Sequence, residues 1–131
     1  MQNLVYPEEC YAIQGAVFDV YREIGCGFLE AVYQECLARE LTFKQIPFEA
    51  QKQLQLYYRG ELIKQTYRAD FFCYDKIIVE IKAVETIAPI HQAQVLNYLK
   101  MSKIRLGLLV NFGSKPKATV ERILNSKLRD S

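Results

Sequence analysis

Residues 67–82 read Tyr67-Arg68-Ala69-Asp70-Phe71-Phe72-Cys73-Tyr74-Asp75-Lys76-Ile77-Ile78-Val79-Glu80-Ile81-Lys82. Two apolar runs flank a turn near Asp75-Lys76, so the stretch reads as a hairpin of largely buried strands. Asp70, Glu80 and Lys82 interrupt it, and an unpaired buried charge is costly enough that something must offset it. Side chains alternate along a strand, so Glu80 and Lys82 share a face while Ile81 points away and offers its backbone carbonyl at the edge. Two carboxylates, a carbonyl and an ammonium at one strand end make a site of hard oxygen donors. Such a set suits Mg²⁺, which takes one or two carboxylates and keeps several waters.

The length of the turn decides whether this set assembles. With only two loop residues, Tyr74 would face Ile77 and Asp70 would face Ile81, leaving Asp70 on the face opposite Glu80 and Lys82. The pattern therefore predicts an odd-length loop or a bulge that sets Asp70 opposite Glu80 or Lys82.

Working outward, Phe48 to Tyr58 places Leu54, Leu56 and Tyr58 at every second position, a half-buried strand. Arg59-Gly60 turns the chain, and Glu61 to about Tyr74 returns as the next strand. Upstream, Pro7 suits a first helical position, with Glu8 and Glu9 near the positive end of the dipole. Cys10, Ile13, Val17, Val20 and Ile24 recur every three or four residues as one apolar face, and Gly25-Cys26-Gly27 ends the helix. A second helix starts soon after and runs to about Thr42. Downstream, a helix of roughly three turns begins near Pro89, Arg105 to Asn111 fits a buried strand, and a closing helix is expected from about Pro116 to Leu128. On that helix Lys115, Lys117, Arg122, Lys127 and Arg129 make a basic side, read as a solvated face or, less simply, a phosphate contact.

A chain of 131 residues, half of them apolar and without a Pro/Gly/Ser-rich linker, is the size of one compact domain, taken as residues 1–131. No apolar run approaches the ~20 residues of a membrane span and no leader pattern opens the chain, so a cytoplasmic protein without membrane contact is expected. A net charge of +2 neither demands nor opposes a polyanionic partner. Cys10, Cys26, Cys36 and Cys73 show no C-x-x-C spacing and read as reduced, buried thiols in preference to a four-cysteine iron–sulfur cluster. His91 is the sole histidine, which argues against a histidine-rich zinc site and against a Ser-His-Asp or Cys-His hydrolase.

Two further pairs have ordinary and functional readings side by side. Glu30 and Tyr33 are three apart and share a helix face. Glu30 is either a first-turn acid or a group reaching the carboxylates, and Tyr33 a half-buried aromatic. Gln94 and Tyr98 are four apart and project together, an amide beside a phenol, as packing groups or leaning over the end of the charged strand.

The order helix, helix, three strands, helix, strand, helix, taken with these residues, resembles the GxxExxY proteins of the PD-(D/E)xK nuclease superfamily. Gly27, Glu30 and Tyr33 supply the naming motif. Asp70 with Glu80-Ile81-Lys82 matches the catalytic motif, although Ala69 stands where a proline often precedes the aspartate. Gln94 to Tyr98 fits the Q-x-x-x-Y pattern of the RecB-like branch. The resemblance implies a restriction-endonuclease-like α/β fold, a mixed sheet of about four strands flanked by helices. It also implies a phosphodiester hydrolase acting on nucleic acid, DNA before RNA, through water activated by Mg²⁺ or Mn²⁺. Asp70, Glu80 and the Ile81 carbonyl would be metal ligands, with Glu30 reaching the metal through water or holding a second ion. Lys82 would orient or deprotonate the attacking water and offset phosphate charge, and Gln94 and Tyr98 would position the scissile phosphate or the metal-bound water. A catalytically silent binding or assembly module on the same fold, and a purely structural ion-pair cluster, are the competing readings. A homodimer is compatible with cutting two strands from one site per chain, and a protein partner with so small a domain.

Overall fold

The structure, a computed structural model, describes residues 4–126. Among these, the elements follow as α1 (Pro7–Ile24), α2 (Glu30–Phe43), β1 (Phe48–Tyr58), β2 (Glu61–Cys73), β3 (Ile77–Lys82), α3 (Pro89–Ser102), β4 (Leu106–Asn111) and β5 (Thr119–Leu124). The strands form one sheet in sequence order, antiparallel except that β3 runs parallel to β4. A parallel neighbour requires a crossover connection, and α3 supplies it. The result is the α/β, restriction-endonuclease-like arrangement anticipated, with five strands rather than about four.

Each helix is placed by its apolar stripe. α1 buries Cys10, Ile13, Ala16, Val17 and Val20, and α2 buries Tyr33, Leu37 and Leu41. Together they cover one face of the sheet, meeting Phe71, Cys73, Ile77, Val79, Ile81, Leu106, Leu108 and Val110. On the other face Val95 and Leu99 of α3 pack with Leu54, Ala69, Phe72, Ile78, Leu109 and Ile123. α1 ends where Gly25 takes φ +72° and its N–H returns to the Tyr21 carbonyl at 2.7 Å. All four cysteines carry free thiols, Cys10 and Cys73 buried, Cys26 and Cys36 half-buried.

The closing helix expected over Pro116–Leu128 is not formed: Thr119–Leu124 is a strand, and Lys127, Leu128 and Arg129 lie outside the described residues. β4 is buried along its whole length, so its outer row of N–H and C=O groups needs a partner away from water. β5 provides one at all six positions, from Leu106 opposite Leu124 to Asn111 opposite Thr119. Helical spacing of Val120, Ile123 and Leu124 is present, but the open edge of a buried strand outweighs it. The basic helix side imagined there is therefore absent from the described residues, and Arg122 is half-buried, donating to the Val5 carbonyl at 2.7 Å.

Two backbone features set the site. First, the β2–β3 connection has three residues, Tyr74, Asp75 and Lys76, because Cys73 pairs with Ile77, Phe72 with Ile78 and Phe71 with Val79. Carrying that register one step further sets Asp70 opposite Glu80, as the odd-length loop predicts. Second, β1 and β2 exchange faces. Phe71 and Cys73 pack with α1 and α2, whereas Tyr67 and Ala69, also odd-numbered, pack on the α3 side. Phe48 and Leu54 divide in the same way. The switch falls at Gln51 and Asp70, which the pairing leaves between Ala50–Phe71 and Lys52–Ala69 without shifting the register. Gln51 adopts φ +54° there, a conformation that costs a residue with a Cβ roughly 1–2 kcal/mol.

Candidate active site

The two carboxylates meet at the end of the β2–β3 pairing. Asp70 Oδ2 accepts the Ile81 N–H at 2.8 Å, and Glu80 Oε1 accepts the Asp70 N–H at 3.1 Å. Side-chain oxygens thus replace ladder bonds where the strands part. Since Lys82 gives its carbonyl to Phe112 on the β4 side, backbone alternation turns both the N–H and the carbonyl of Ile81 toward β2, where Asp70 stands.

Each carboxylate is held by a side chain outside the Asp70 and Glu80-Ile81-Lys82 motif. Gln34 of α2 donates from Nε2 to Asp70 Oδ1 at 2.9 Å. The Tyr67 hydroxyl donates a very short hydrogen bond to Glu80 Oε1. Tyr67 is in turn stacked on Tyr98 of α3, ring centroids 3.9 Å apart and planes 12° from parallel. Tyr98 therefore reaches the site through Tyr67, while Gln94, one turn earlier, is exposed on α3. Glu30 is exposed in the first turn of α2, one turn before Gln34 on the same face. Lys82 is half-buried on the face it shares with Glu80, and among the described residues no ion pair involves it.

Crowding these groups changes their protonation. Burial and then the neighbouring Asp70 charge push the Glu80 carboxyl up to about 7, against the pull of the Tyr67 hydroxyl and the Asp70 N–H. Burial raises Asp70 as well, opposed by the Ile81 N–H, Glu80, the Lys82 charge and the Gln51 amide. Burial and the Glu80 charge raise Tyr67, which keeps it a donor.

This donor set fits a hard divalent cation. Two carboxyl groups are pressed together, with the Lys82 charge acting on Asp70 and the hydrogen bonds from Tyr67 and the Asp70 N–H both ending on Glu80 Oε1. The described residues contain no group of three or more His, Cys, Asp or Glu placed to hold a metal, so a cation here would draw on the two carboxylates with backbone and solvent.

The flanking structure locks these strands. Asn111, buried at the end of β4, accepts the N–H groups of Val84 and Gly113, both at 3.0 Å, and donates to the Val84 carbonyl at 2.8 Å. A Cβ at Gly113 would lie 2.3 Å from the Val84 oxygen, so only glycine lets the two backbones approach. Together they fix the chain leaving Lys82. At the α1–α2 junction, Gly27 takes φ +107°. Tyr33, fully buried, donates to the Gly25 carbonyl at 2.6 Å and stacks on Phe112 at 4.5 Å. Two of the three G-x-x-E-x-x-Y residues are thus structural, while Glu30 is exposed in the first turn of α2.

Gln34 was within reach of the sequence, being four residues after Glu30 on one helix face. Asn111 was signalled as a polar residue ending an apolar strand. Tyr67 was not, because strict alternation from Asp70 puts it on the opposite face.

A family model described as the PD-(D/E)XK nuclease superfamily matches residues 7–123. No curated protein matches the chain. Among solved structures, one described as "Crystal structure of SSO0001" is similar at a TM-score of 0.55 and 19% identity, covering 91% of this chain and 59% of that one. The chain spans about three-fifths of that protein's length, and the likeness is one of fold.

Proposed function

The chain belongs to the PD-(D/E)XK nuclease superfamily, and from that premise we propose that it hydrolyses phosphodiester bonds in nucleic acid, DNA foremost, with Mg²⁺ or Mn²⁺ as cofactor. The observation that carries this reading is the Asp70–Glu80 pair, crowded and half-buried, with the Lys82 amine on the same face as Glu80. The finer likeness to the GxxExxY proteins and the RecB-like branch is supported by the residues quoted for it, Gly27, Glu30, Tyr33, Gln94 and Tyr98.

Asp70, Glu80 and the Ile81 carbonyl would hold the cation, with Glu30 linked to it through water or serving a second ion. When bound, the cation would polarise the scissile phosphate and make an attacking water available at neutral pH. The protein's own part is positioning and proton handling. Tyr67 fixes one oxygen of Glu80, and Gln34 with the Ile81 N–H fixes Asp70 at both oxygens. Lys82 orients the attacking water or, as the neutral amine, takes its proton as the new P–O bond forms, and as the ammonium offsets charge gathering on the phosphate. The P–O bond on the far side breaks, and the departing oxygen is protonated from solvent. Gln94 and Tyr98 help seat the phosphate from α3.

The test is incubation of supercoiled plasmid, single-stranded DNA and RNA with Mg²⁺ or Mn²⁺, comparing the parent with Asp70→Ala and Lys82→Ala. Each variant should lose about 10²-fold or more of the rate. Activity that persists in both removes the assigned roles. One observation favours a silent binding module instead: both Asp70 oxygens and one of Glu80 already have protein donors. Mn²⁺ binding abolished by Asp70→Ala without turnover in the parent would select that alternative.

A further inference from the structure

The β1–β2 hairpin is longer than the sheet requires. β2 meets β3 only across Phe71–Cys73, whereas its pairing with β1 continues through Ala69, Arg68, Tyr67 and Thr66 toward the turn at Arg59-Gly60. Beyond the Gln51/Asp70 step the chain is therefore a two-stranded ribbon. One face is covered, since Leu54, Tyr67 and Ala69 pack on the α3 side. The other carries Gln53 opposite Arg68 and Gln55 opposite Thr66, all four exposed. Among the described residues, Gln53, Thr66 and Arg68 make no side-chain hydrogen bond or ion pair, and Gln55 only accepts a long one from Tyr57.

We propose that this polar face of the ribbon enters the major groove of duplex DNA and reads it, an inference that rests on the nuclease reading above. The shape fits: two strands about 4.8 Å apart pass into a groove about 12 Å wide. The spacing fits too, because same-face residues recur about every 7 Å, close to two base-pair steps of about 3.4 Å. Guanidinium and amide groups are the side chains that pair with the major-groove edges of guanine and adenine. Charge agrees, for Lys52 is neutralised by Glu49 at 2.8 Å, which leaves Arg59, Lys64 and Arg68 against Glu61 on the ribbon. The face ends at the edge of the site: Gln51 at its root lies beside Asp70, which Gln34 of α2 holds from that side, whereas Glu80 lies on the α3 side with Tyr67 and Ile78. Duplex RNA, whose major groove is deep and narrow, is excluded on the same grounds.

The test is fluorescence-anisotropy binding of the full chain, with EDTA present, to duplex DNA, the single strand and an RNA duplex of matching sequence. The parent should prefer duplex DNA. A Gln53→Ala/Arg68→Ala double variant should bind it about 10-fold more weakly, and Arg68→Ala alone should relax the preference among duplexes of different sequence. Arg68→Lys should not restore that preference, while Arg22→Ala on α1 should change neither affinity nor preference. The proposal is overturned if the double variant, folded by circular dichroism, binds within about twofold of the parent, or if single strands or RNA bind more tightly than duplex DNA. Cleavage measured in parallel with Mg²⁺ separates the two readings. Ribbon-dependent binding without cleavage keeps this assignment and ends the nuclease one. Cleavage by variants whose binding is undiminished does the reverse.

Discussion

Replacing Glu80 with glutamine should flatten the pH dependence of folding stability, and the size of the effect follows from the carboxylate pair. Burial and the Asp70 charge raise the Glu80 carboxyl from an ordinary 4.5 to about 7. A carboxyl group whose pKa is higher in the folded than in the unfolded chain favours folding when it is protonated. Its contribution is thus fully present below about 4.5 and is lost as pH rises to about 7. At ~1.4 kcal/mol per pH unit, that gap amounts to about 3 kcal/mol. Asp70 is raised by burial and acts in the same direction.

The assay is urea unfolding followed by far-UV circular dichroism in EDTA, since the chain has no tryptophan to report. The parent should lose about 2–3 kcal/mol between pH 5 and pH 8, and Glu80→Gln less than about 1 kcal/mol. At pH 8, Mg²⁺ at about 100 times its dissociation constant should return about 2.7 kcal/mol to the parent and little to the variant. A parent whose stability holds level or rises across this range, with no difference from Glu80→Gln, would refute the reasoning from the crowded pair.

Four other substitutions separate chemistry from scaffold. Tyr67→Phe keeps the ring on Tyr98 but removes a donor to Glu80. A hydrogen bond to a charged acceptor is worth ~1.5–3 kcal/mol, so the acidic limb of the cleavage rate should move up by about one pH unit or more. An unmoved limb would dismiss Tyr67 as a positioning residue. Asn111→Ala leaves the Val84 N–H and carbonyl without their partner and should cost about 2–4 kcal/mol in urea unfolding; a loss below about 0.5 kcal/mol would mean the clamp is redundant. Tyr33→Phe removes the bond to the Gly25 carbonyl and should cost about 1 kcal/mol of stability with the cleavage rate intact. Glu30→Ala should do the opposite, and an equal stability loss in both would contradict the division of the motif.

Most of this architecture was legible because its determinants are local. Pro7 and Gly25 bracket α1, Arg59-Gly60 fixes the first hairpin, and the run Ile77–Lys82 is bounded by a turn and by its charges. The three-residue loop could be inferred from chemistry, since only an odd spacing allows Asp70 to face Glu80. β5 was not legible, because what makes Thr119–Leu124 a strand is the unpaired edge of β4 rather than anything in its own spacing. Nor was the exchange of faces at Gln51/Asp70. Glutamine has none of the preference for positive φ that glycine or asparagine shows, so no residue announces the step.

That silent step connects the parts of the site. Had β1 and β2 kept strict alternation, Tyr67 would turn to the α1–α2 side, leaving Glu80 without its donor and Tyr98 without its stacking partner. Gln53 and Arg68 would turn under α3, onto ground now held by Leu54 and Ala69. Because both strands switch together, the register survives and the apolar residues stay covered on each side of the step. The strands part just where two carboxylates need room, and the ribbon's polar face is left uncovered on the side away from α3. A conformational cost of roughly 1–2 kcal/mol at Gln51 is small beside the penalty of burying Glu80 unpartnered, several kcal/mol, which is a physical reason for the strain to persist at this position.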